Sequence, residues 1–244
     1  MGKRILRPGG IALSRAMLQA LAIGPTDDLV EYAPGLGATA RMALEFGPAS
    51  YIGIEKDEAA ARRLDDQIRT LGSYRCVVGD ATDYDLLPAE SASVVYGESM
   101  LTIHNPQAKR ALLQRVLRTL RPGGRFAFQE LSLLPPDIDA GLADTIRREL
   151  ISVVRHSAWP LTTAEWRELV TEEGFLVVEE LQAPAELLEA GRIIEDEGAE
   201  NAVGFFSAVL EDPEAVERFR AMRAAFRAHQ TNLCGYGLVC RKPY

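Results

Sequence analysis

A short glycine-containing turn near the start of the chain has the composition of a ligand-binding loop. Residues 31–37 (EYAPGLG) follow an apolar run and precede a helical pattern. Glycine at 35 and 37 lets the backbone turn tightly and lets a ligand approach where a Cβ atom would collide. The next helix presents unpaired N–H groups at its start. The Gly-x-Gly-x-x-Ala spacing therefore predicts a ligand-binding turn, which also fits a dinucleotide, or a tight turn without a ligand.

Acidic residues end three successive predicted strands. Glu31, Glu55 and Asp80 follow the first, second and third strand, and Glu55 lies twenty residues after Gly35. Ligands bind at the carboxyl ends of strands in open α/β sheets, so these acids should surround the glycine turn. A carboxylate at 55 can accept both hydroxyls of a ribose, Asp80 can accept a hydrogen bond from an exocyclic amine such as that of adenine, and Glu31 can face a ligand ammonium group.

In this order and spacing, the segments resemble the class I S-adenosylmethionine-dependent methyltransferase family. The resemblance covers about residues 29–131 and recurs weakly in the last two strands. Residues 31–37 are similar to the acid-x-Gly-x-Gly-x-Gly motif, with Ala33 and Pro34 in place of the first glycine and its neighbour. The other matching segments are residues 51–55 (YIGIE, second strand with the ribose-binding acid), 79–81 (GDA, adenine-proximal), 94–99 (VVYGES, fourth strand) and 120–124 (LRPGG, the turn before strand five).

The resemblance implies a cofactor, S-adenosylmethionine, and a role for each matching residue. Gly35 and Gly37 would approach its methionine portion, and Glu31 would hold the amino group. Glu55 would bind the ribose, and Asp80 with Ala81 would border the adenine. The cofactor-binding set predicted in this way is Glu31, Ala33, Gly35, Gly37, Glu55, Lys56, Asp80, Ala81 and Glu98.

The acceptor side is predicted from the segment after the fourth strand. Displacement from a sulfonium depends mostly on positioning, and a general base matters only when the acceptor carries a proton. His104 is the candidate base, because this loop borders the transferred methyl in the family; a loop or cap role is the alternative. Glu98 and Glu130 end strands four and five and are predicted to line the same mouth. Second-rank candidates for a pocket or lid, with core packing or a helix end as the simpler explanation, are Tyr32, His156, Trp159, Phe205, Phe206 and His229.

The elements that position these residues alternate between short β-rich runs and longer stretches of 3.6-residue periodicity. This pattern predicts an α/β fold, a doubly wound, mostly parallel seven-stranded sheet with an antiparallel strand near its end. The predicted strands are residues 29–32, 51–54, 74–78, 93–96, 125–131, 175–181 and 236–241, and the predicted helices are 11–21, 38–46, 59–71, 106–120, 138–156 and 163–173, with Thr162 or Thr163 as the last N-cap. Residues 185–230 are predicted to form a helical cap or oligomer interface inserted into a single domain, 1–244.

The composition and motifs of the chain argue against nucleic acid, a membrane span and a metal site. The chain has 35 acidic and 27 basic side chains and a net charge of −8, so nucleic acid is not an expected partner. The Asn-Pro-Pro-aromatic motif of nucleobase amine methyltransferases is replaced by residues 97–100 (GESM). No run reaches the ~18 apolar residues of a membrane span. Cys76, Cys234 and Cys240 are widely spaced, which indicates free thiols in a reducing compartment and no metal site.

These observations predict a cytoplasmic enzyme that transfers a methyl group from S-adenosylmethionine to a small-molecule acceptor, with a homodimer as a possible assembly. A nicotinamide-dependent oxidoreductase would use the same glycine turn, but Glu31, Asp80 and the Pro-Gly-Gly segment argue against it. A non-catalytic ligand-binding or scaffold protein that keeps the fold is the second alternative.

Overall fold

Strands and helices alternate along the chain in the computed structural model, which describes residues 7–81, 83, 86–155 and 157–244. The strands in these residues are β1 (Asp28–Tyr32), β2 (Ser50–Glu55), β3 (Tyr74–Val78), β4 (Ala92–Glu98), β5 (Leu120–Leu133), β6 (Leu161–Thr162), β7 (Leu176–Pro184) and β8 (Leu233–Arg241). The helices are α1 (Gly10–Ala20), α2 (Ala38–Leu44), α3 (Glu58–Ile68), α4 (Pro106–Thr119), α5 (Ala140–Val154), α6 (Thr163–Glu172), α7 (Ala190–Glu197), α8 (Ala199–Leu210) and α9 (Pro213–Ala228).

The strands form one sheet in the order β3-β2-β1-β4-β5-β8-β7, and β6 pairs with β5 beside this path. All pairings are parallel except those of β8, which runs antiparallel to β5 and β7. The predicted doubly wound sheet with an antiparallel strand near its end is therefore confirmed. Strand order reverses between β1 and β4, and the crevice above such a switch point is the usual ligand site of this architecture.

Helices cover both faces because neighbouring residues of the central strands alternate between two cores. Val94 packs with α1, α2 and α3, whereas Val95 packs with α4 and α6 on the opposite face. Strands buried on both faces read as continuous apolar runs, as the central strands of this chain do. Thr162 caps α6 in a capping box with Glu165, which confirms the predicted N-cap.

Two strand predictions need correction. Residues 122–124 (PGG), predicted as a turn before the fifth strand, lie inside β5, where the β4–β5 register shifts between Ala92 and Val94. Gly123 has a φ of +74° there, and its N–H donates to the carbonyl of Lys242 at 3.0 Å. The segment is thus an irregular part of β5 that hydrogen-bonds to the backbone near residue 242. The two-residue β6 was also missed, since it is too short to show any period.

Helices α7, α8 and α9 lie between the last two strands, β7 and β8, and are called the insertion below. Phe226 of α9 shares a core with Ile146 and Leu150 of α5. On the other side, Asp196 of α7 accepts a hydrogen bond from the backbone N–H of Ile11 at 2.9 Å and so caps the first turn of α1. The insertion is therefore anchored at two places above the sheet. Among the described helices, none is both long and apolar enough to cross a membrane.

Candidate active site

The glycine turn after β1 contains left-handed backbone at three positions, each with a different neighbourhood. Gly37 precedes α2 with a φ of +77°, and a Cβ there would lie 2.3 Å from the Leu64 side chain, so packing against α3 requires this glycine. Gly35, with a φ of +56°, has open space where a Cβ would lie. Ala33 has a φ of +55° although it is not glycine. Gly35 is therefore the position at which a ligand can approach the backbone.

Ser99, just after the adjacent strand β4, is also a non-glycine residue with left-handed backbone, with a φ of +52°. Left-handed backbone costs an L-residue about 1–2 kcal/mol. Such strained residues concentrate at functional sites, where the surrounding structure holds them in place. Of the five non-glycine residues with positive φ among the described residues, Ala33 and Ser99 follow the ends of β1 and β4, the strands between which the order of the sheet reverses.

Glu55 connects the ends of β1 and β2. One carboxylate oxygen accepts the N–H of Gly35 at 2.8 Å and the other accepts the N–H of Asp57 at 2.9 Å. Because a carboxylate has about four acceptor sites, each oxygen keeps a lone pair for a ligand hydroxyl. The backbone N–H of Gly79, after β3, donates to the carbonyl of Glu55 at 2.9 Å, so the glycine turn and the end of β3 are held together through this residue.

Lys56 and Asp80 form an ion pair at 2.8 Å between the ends of β2 and β3. Asp80 raises the pKa of the Lys56 ammonium through this hydrogen bond. Both side chains reach solvent, with 81% and 41% of their surfaces exposed, so the pair contributes little energy and can rearrange around a ligand. Ala81 is half-buried beside them.

Glu31 differs from its prediction as a negative charge. It is 3% exposed and accepts a hydrogen bond from the Tyr51 hydroxyl at 2.8 Å. Burial raises the pKa of its carboxyl to about 8, and the nearby Glu98 adds to this shift. Without a ligand, Glu31 is therefore mostly protonated at neutral pH and would ionise only beside an added cation.

Glu98 is surrounded by hydrogen-bond donors and does not line an open mouth as predicted. Its side chain is 10% exposed and forms an ion pair with Arg7 at 3.3 Å. The other donors to its carboxylate are Ser14, Thr39 (2.7 Å), Tyr96 (2.6 Å) and Gln129 (3.1 Å). A carboxylate with so many partners is better suited to joining α1, α2, β4 and β5 than to proton transfer.

Glu130 is fully buried, which also contradicts its predicted place at the mouth. It accepts hydrogen bonds from the backbone N–H groups of Leu101 and Thr102 at 2.7 and 3.0 Å, and from the Thr102 hydroxyl at 2.6 Å. Burial raises its pKa, and these hydrogen bonds oppose the shift. Glu130 therefore positions the loop after β4.

Lys109 was missed by the sequence analysis. It is 1% exposed, and its Nζ donates to the backbone carbonyls of His104 and Trp159 and lies 5.7 Å from the centre of the Trp166 ring. Burial lowers the pKa of its ammonium to about 8. A signal was available, since Lys109 stands at helical spacing with the buried Leu112, Leu113 and Val116.

His104 is half-buried at the end of this loop, and burial lowers the pKa of its imidazole, an effect to which the Lys109 charge adds. It is therefore neutral at physiological pH and has a free lone pair for a proton. The backbone N–H of Trp159 donates to the carbonyl of Thr102 at 2.8 Å, and its indole, 38% exposed, stacks on Arg147. Trp159 is thus bound to the loop that contains His104.

The remaining second-rank candidates take structural positions. Tyr32 is buried in the core, with its hydroxyl 3.3 Å from that of Thr119. Phe205 and Phe206 pack edge-on against each other within the insertion, and His229 contacts Glu149 at 2.7 Å. His156 lies outside the described residues. Within the described residues, no group of three His, Cys, Asp or Glu side chains could hold a metal ion.

Comparisons with known proteins agree with this geometry. Residues 29–124 match a family model described as a methyltransferase domain. An uncharacterized protein of Haemophilus influenzae is 26% identical over 229 residues, which cover 93% of this chain and 88% of that protein. Ribosomal RNA small subunit methyltransferase A of Afipia carboxidovorans is 38% identical over 82 residues, 31% of this chain and 29% of that protein. The fold is similar to that of Haemonchus contortus phosphoethanolamine N-methyltransferase 2 in complex with S-adenosyl-L-methionine, with a TM-score of 0.71, 16% identity, and coverage of 100% of this chain and 55% of that chain.

The buried Glu31 carboxyl should make stability depend on pH. Its pKa in the folded protein, about 8, exceeds the ordinary value of 4.5, so the folded state binds more protons between these values and loses stability as pH rises through that window. Glu31→Gln removes this component. Its stability relative to the wild type should increase with pH by up to about 1.4 kcal/mol per unit. Urea denaturation at about pH 5.5, 6.5 and 7.5 measures this. Glu45→Gln, which removes an exposed carboxylate, is the control; parallel profiles for wild type and Glu31→Gln would contradict the assignment.

Lys109 should hold the loop after β4 in place. In Lys109→Met the carbonyls of His104 and Trp159 lose a charged donor, and a hydrogen bond to a charged group contributes about 1.5–3 kcal/mol. The backbone amides of residues 101–104 and 159 should therefore exchange hydrogen at least about tenfold faster. Lys242→Met is the control, because Lys242 donates to the Leu120 carbonyl at the other end of β5. Unchanged hydrogen exchange in this loop, or equally faster exchange in both variants, would show that Lys109 does not hold the loop in place.

Proposed function

We propose that this chain is a class I S-adenosylmethionine-dependent methyltransferase that transfers a methyl group from S-adenosylmethionine to a small-molecule acceptor, a proposal that the methyltransferase-domain match over residues 29–124 supports. The observation that carries the proposal is the junction of Gly35 and Glu55. Open space above Gly35 lies next to a carboxylate that keeps free acceptor sites, at the point where the strand order reverses. This combination suits a nucleoside with ribose hydroxyls and an extended substituent.

The side chains at the site fit the cofactor. Glu55 would bind the ribose hydroxyls, Asp80 would accept a hydrogen bond from the adenine amine, and Gly35 would allow the methionine portion to approach the backbone. A ligand ammonium beside Glu31 would favour the ionised carboxylate and lower its pKa from about 8. When bound, S-adenosylmethionine supplies a methyl group already activated by the sulfonium.

The chain's own contribution to the reaction is positioning and, for acceptors that carry a proton, a base. Glu130 and Lys109 hold the loop that contains His104 from two sides. The neutral imidazole of His104 would take a proton from an acceptor hydroxyl or amine, because burial keeps its pKa low. Trp159, fixed to the same loop through Thr102, would offer an aromatic wall for the acceptor.

Charge and coverage support a small molecule over a nucleic acid. The chain's net charge of −8 gives no overall attraction for phosphate backbones. The ribosomal RNA methyltransferase matches only 82 residues, whereas the phosphoethanolamine methyltransferase fold extends over the whole chain. Cys76, Cys234 and Cys240 are all buried and unpaired, which suits a reducing cytoplasm. The single domain and the homodimer stay predictions.

Calorimetric titration tests the cofactor site. S-adenosylhomocysteine and S-adenosylmethionine should bind the wild type saturably, and NADH should not. Glu55→Gln replaces one acceptor oxygen by an amide and should weaken S-adenosylhomocysteine about tenfold to a hundredfold, the effect of losing a charged hydrogen bond. Glu58→Gln, an exposed carboxylate in the first turn of α3, should bind like the wild type.

Three results would overturn the proposal. Binding of NADH alone would favour an oxidoreductase, and binding of none of the three ligands by folded protein would favour a scaffold. Equal weakening by Glu55→Gln and Glu58→Gln would show that the site is not at Glu55.

A further inference from the structure

A cavity of about 540 Å³ lies between α1, α2, α3 and α7, and arginines line it from four places. They are Arg7 before α1, Arg15 on α1, Arg41 on α2 and Arg63 on α3. We propose that this cavity binds a small molecule through a carboxylate or phosphate group. Its volume is within the range of small-ligand pockets, about 300–1,000 Å³.

The local charge is opposite to that of the whole protein. Four arginines face the cavity against two acids, Asp196 and Glu197, in a chain of net charge −8. One carboxylate oxygen of Asp196 already accepts the N–H of Ile11. Arginine presents a planar fork of N–H groups that matches a carboxylate or a phosphate, so this lining selects anions.

Arg7 supplies a second and independent indication. It is 1% exposed, its Nε pairs with Glu98 at 3.3 Å and its Nη2 donates to Thr39 at 2.9 Å. Its Nη1 is buried and has no hydrogen-bond partner among the described residues. A buried N–H donor left unpaired is unfavourable, and an anion in the cavity that Arg7 lines is the partner that would satisfy it.

The exposed arginines have capacity for a ligand. Arg15 and Arg63 form no ion pair or hydrogen bond within the part of the chain that the structure describes. Arg41 donates to Gln67 at 3.1 Å and to the Leu36 carbonyl at 3.2 Å, so its guanidinium is held in place at the cavity. A fixed arginine with two free ones around it is an arrangement that can close on an anion.

The cavity adjoins the glycine turn, because Leu36 and Ala38 on either side of Gly37 also line it. The anionic group can therefore come from the amino-acid end of the cofactor or from a separate acidic molecule, such as an acidic methyl acceptor. Both sources present the same chemistry to the arginines, and they differ in which ligands are weakened when arginines are removed.

The test compares the double variant Arg15→Gln/Arg63→Gln with Arg62→Gln. Arg62 neighbours Arg63 on α3 but pairs with Glu58 outside the cavity, so it controls for loss of surface charge. All the substituted side chains are exposed, and unchanged thermal unfolding will confirm folding. Calorimetry with inorganic phosphate, S-adenosylhomocysteine and 5′-methylthioadenosine, which lacks the carboxylate, provides the readout.

The double variant should weaken phosphate binding about tenfold or more, while Arg62→Gln leaves it unchanged. If the cofactor's carboxylate is the occupant, the same variant weakens S-adenosylhomocysteine but not 5′-methylthioadenosine; if a separate acid is the occupant, both adenosyl ligands keep their affinity. Phosphate and S-adenosylhomocysteine affinities that both match the wild type in the double variant would overturn the proposal. The phosphate measurement needs no cofactor, so it is decided independently of methyl transfer.

Discussion

The largely buried carboxylate of Glu98 is the constraint on which the arrangement of this site depends. A carboxylate removed from water is strongly unfavourable unless a charge and several donors surround it. Here Arg7 provides the charge, and the neutral donors are Tyr96 on the same strand and three side chains distant in sequence, Ser14, Thr39 and Gln129. Because these donors must converge on one point, α1 is held against the cleft and the start of α2 is fixed beside the glycine turn.

On the opposite side of the cleft, buried charged groups are also surrounded by hydrogen-bond partners, but there they hold a loop in place. Glu130 and Lys109 are both buried, but their hydrogen bonds go mostly to backbone groups of the loop after β4. A buried ionic group that bonds to the backbone fixes the path of a loop. The strand-end residues therefore divide into two kinds. Glu98 and Glu130 support the site from inside, whereas Glu55 bonds to the N–H of Gly35 in the glycine turn and Asp80 pairs with the exposed Lys56.

The sequence predicted those parts of the molecule that local patterns determine. The alternation of periods predicted the fold, and Glu55 and Asp80 lie at the ends of the second and third strands, as predicted. The roles of Glu98 and Glu130 could not be predicted in this way. The sequence around an acid at a strand end is similar whether its side chain faces solvent or hydrogen-bond donors. Here the donors are distant in sequence: Arg7 is 91 residues from Glu98, and Thr102 is 28 residues from Glu130.

Other differences have equally local causes. Ala33 stands where the resembling motif has a glycine, yet its backbone is left-handed, a conformation that the residue type does not predict. The Pro-Gly-Gly segment reads as a turn, yet its pairing with the end of the chain keeps it inside β5. Lys109 was the one omission that periodicity could have corrected, since a lysine on the apolar side of a helix must find buried acceptors.

A crystal structure of the protein grown with S-adenosylhomocysteine tests the central claim most directly. The account predicts the ribose hydroxyls on the Glu55 carboxylate, the adenine beside Asp80 and Ala81, and the homocysteine portion passing over Gly35. A ligand bound elsewhere on the chain, or a cleft above Gly35 that stays empty at saturating ligand, would contradict it.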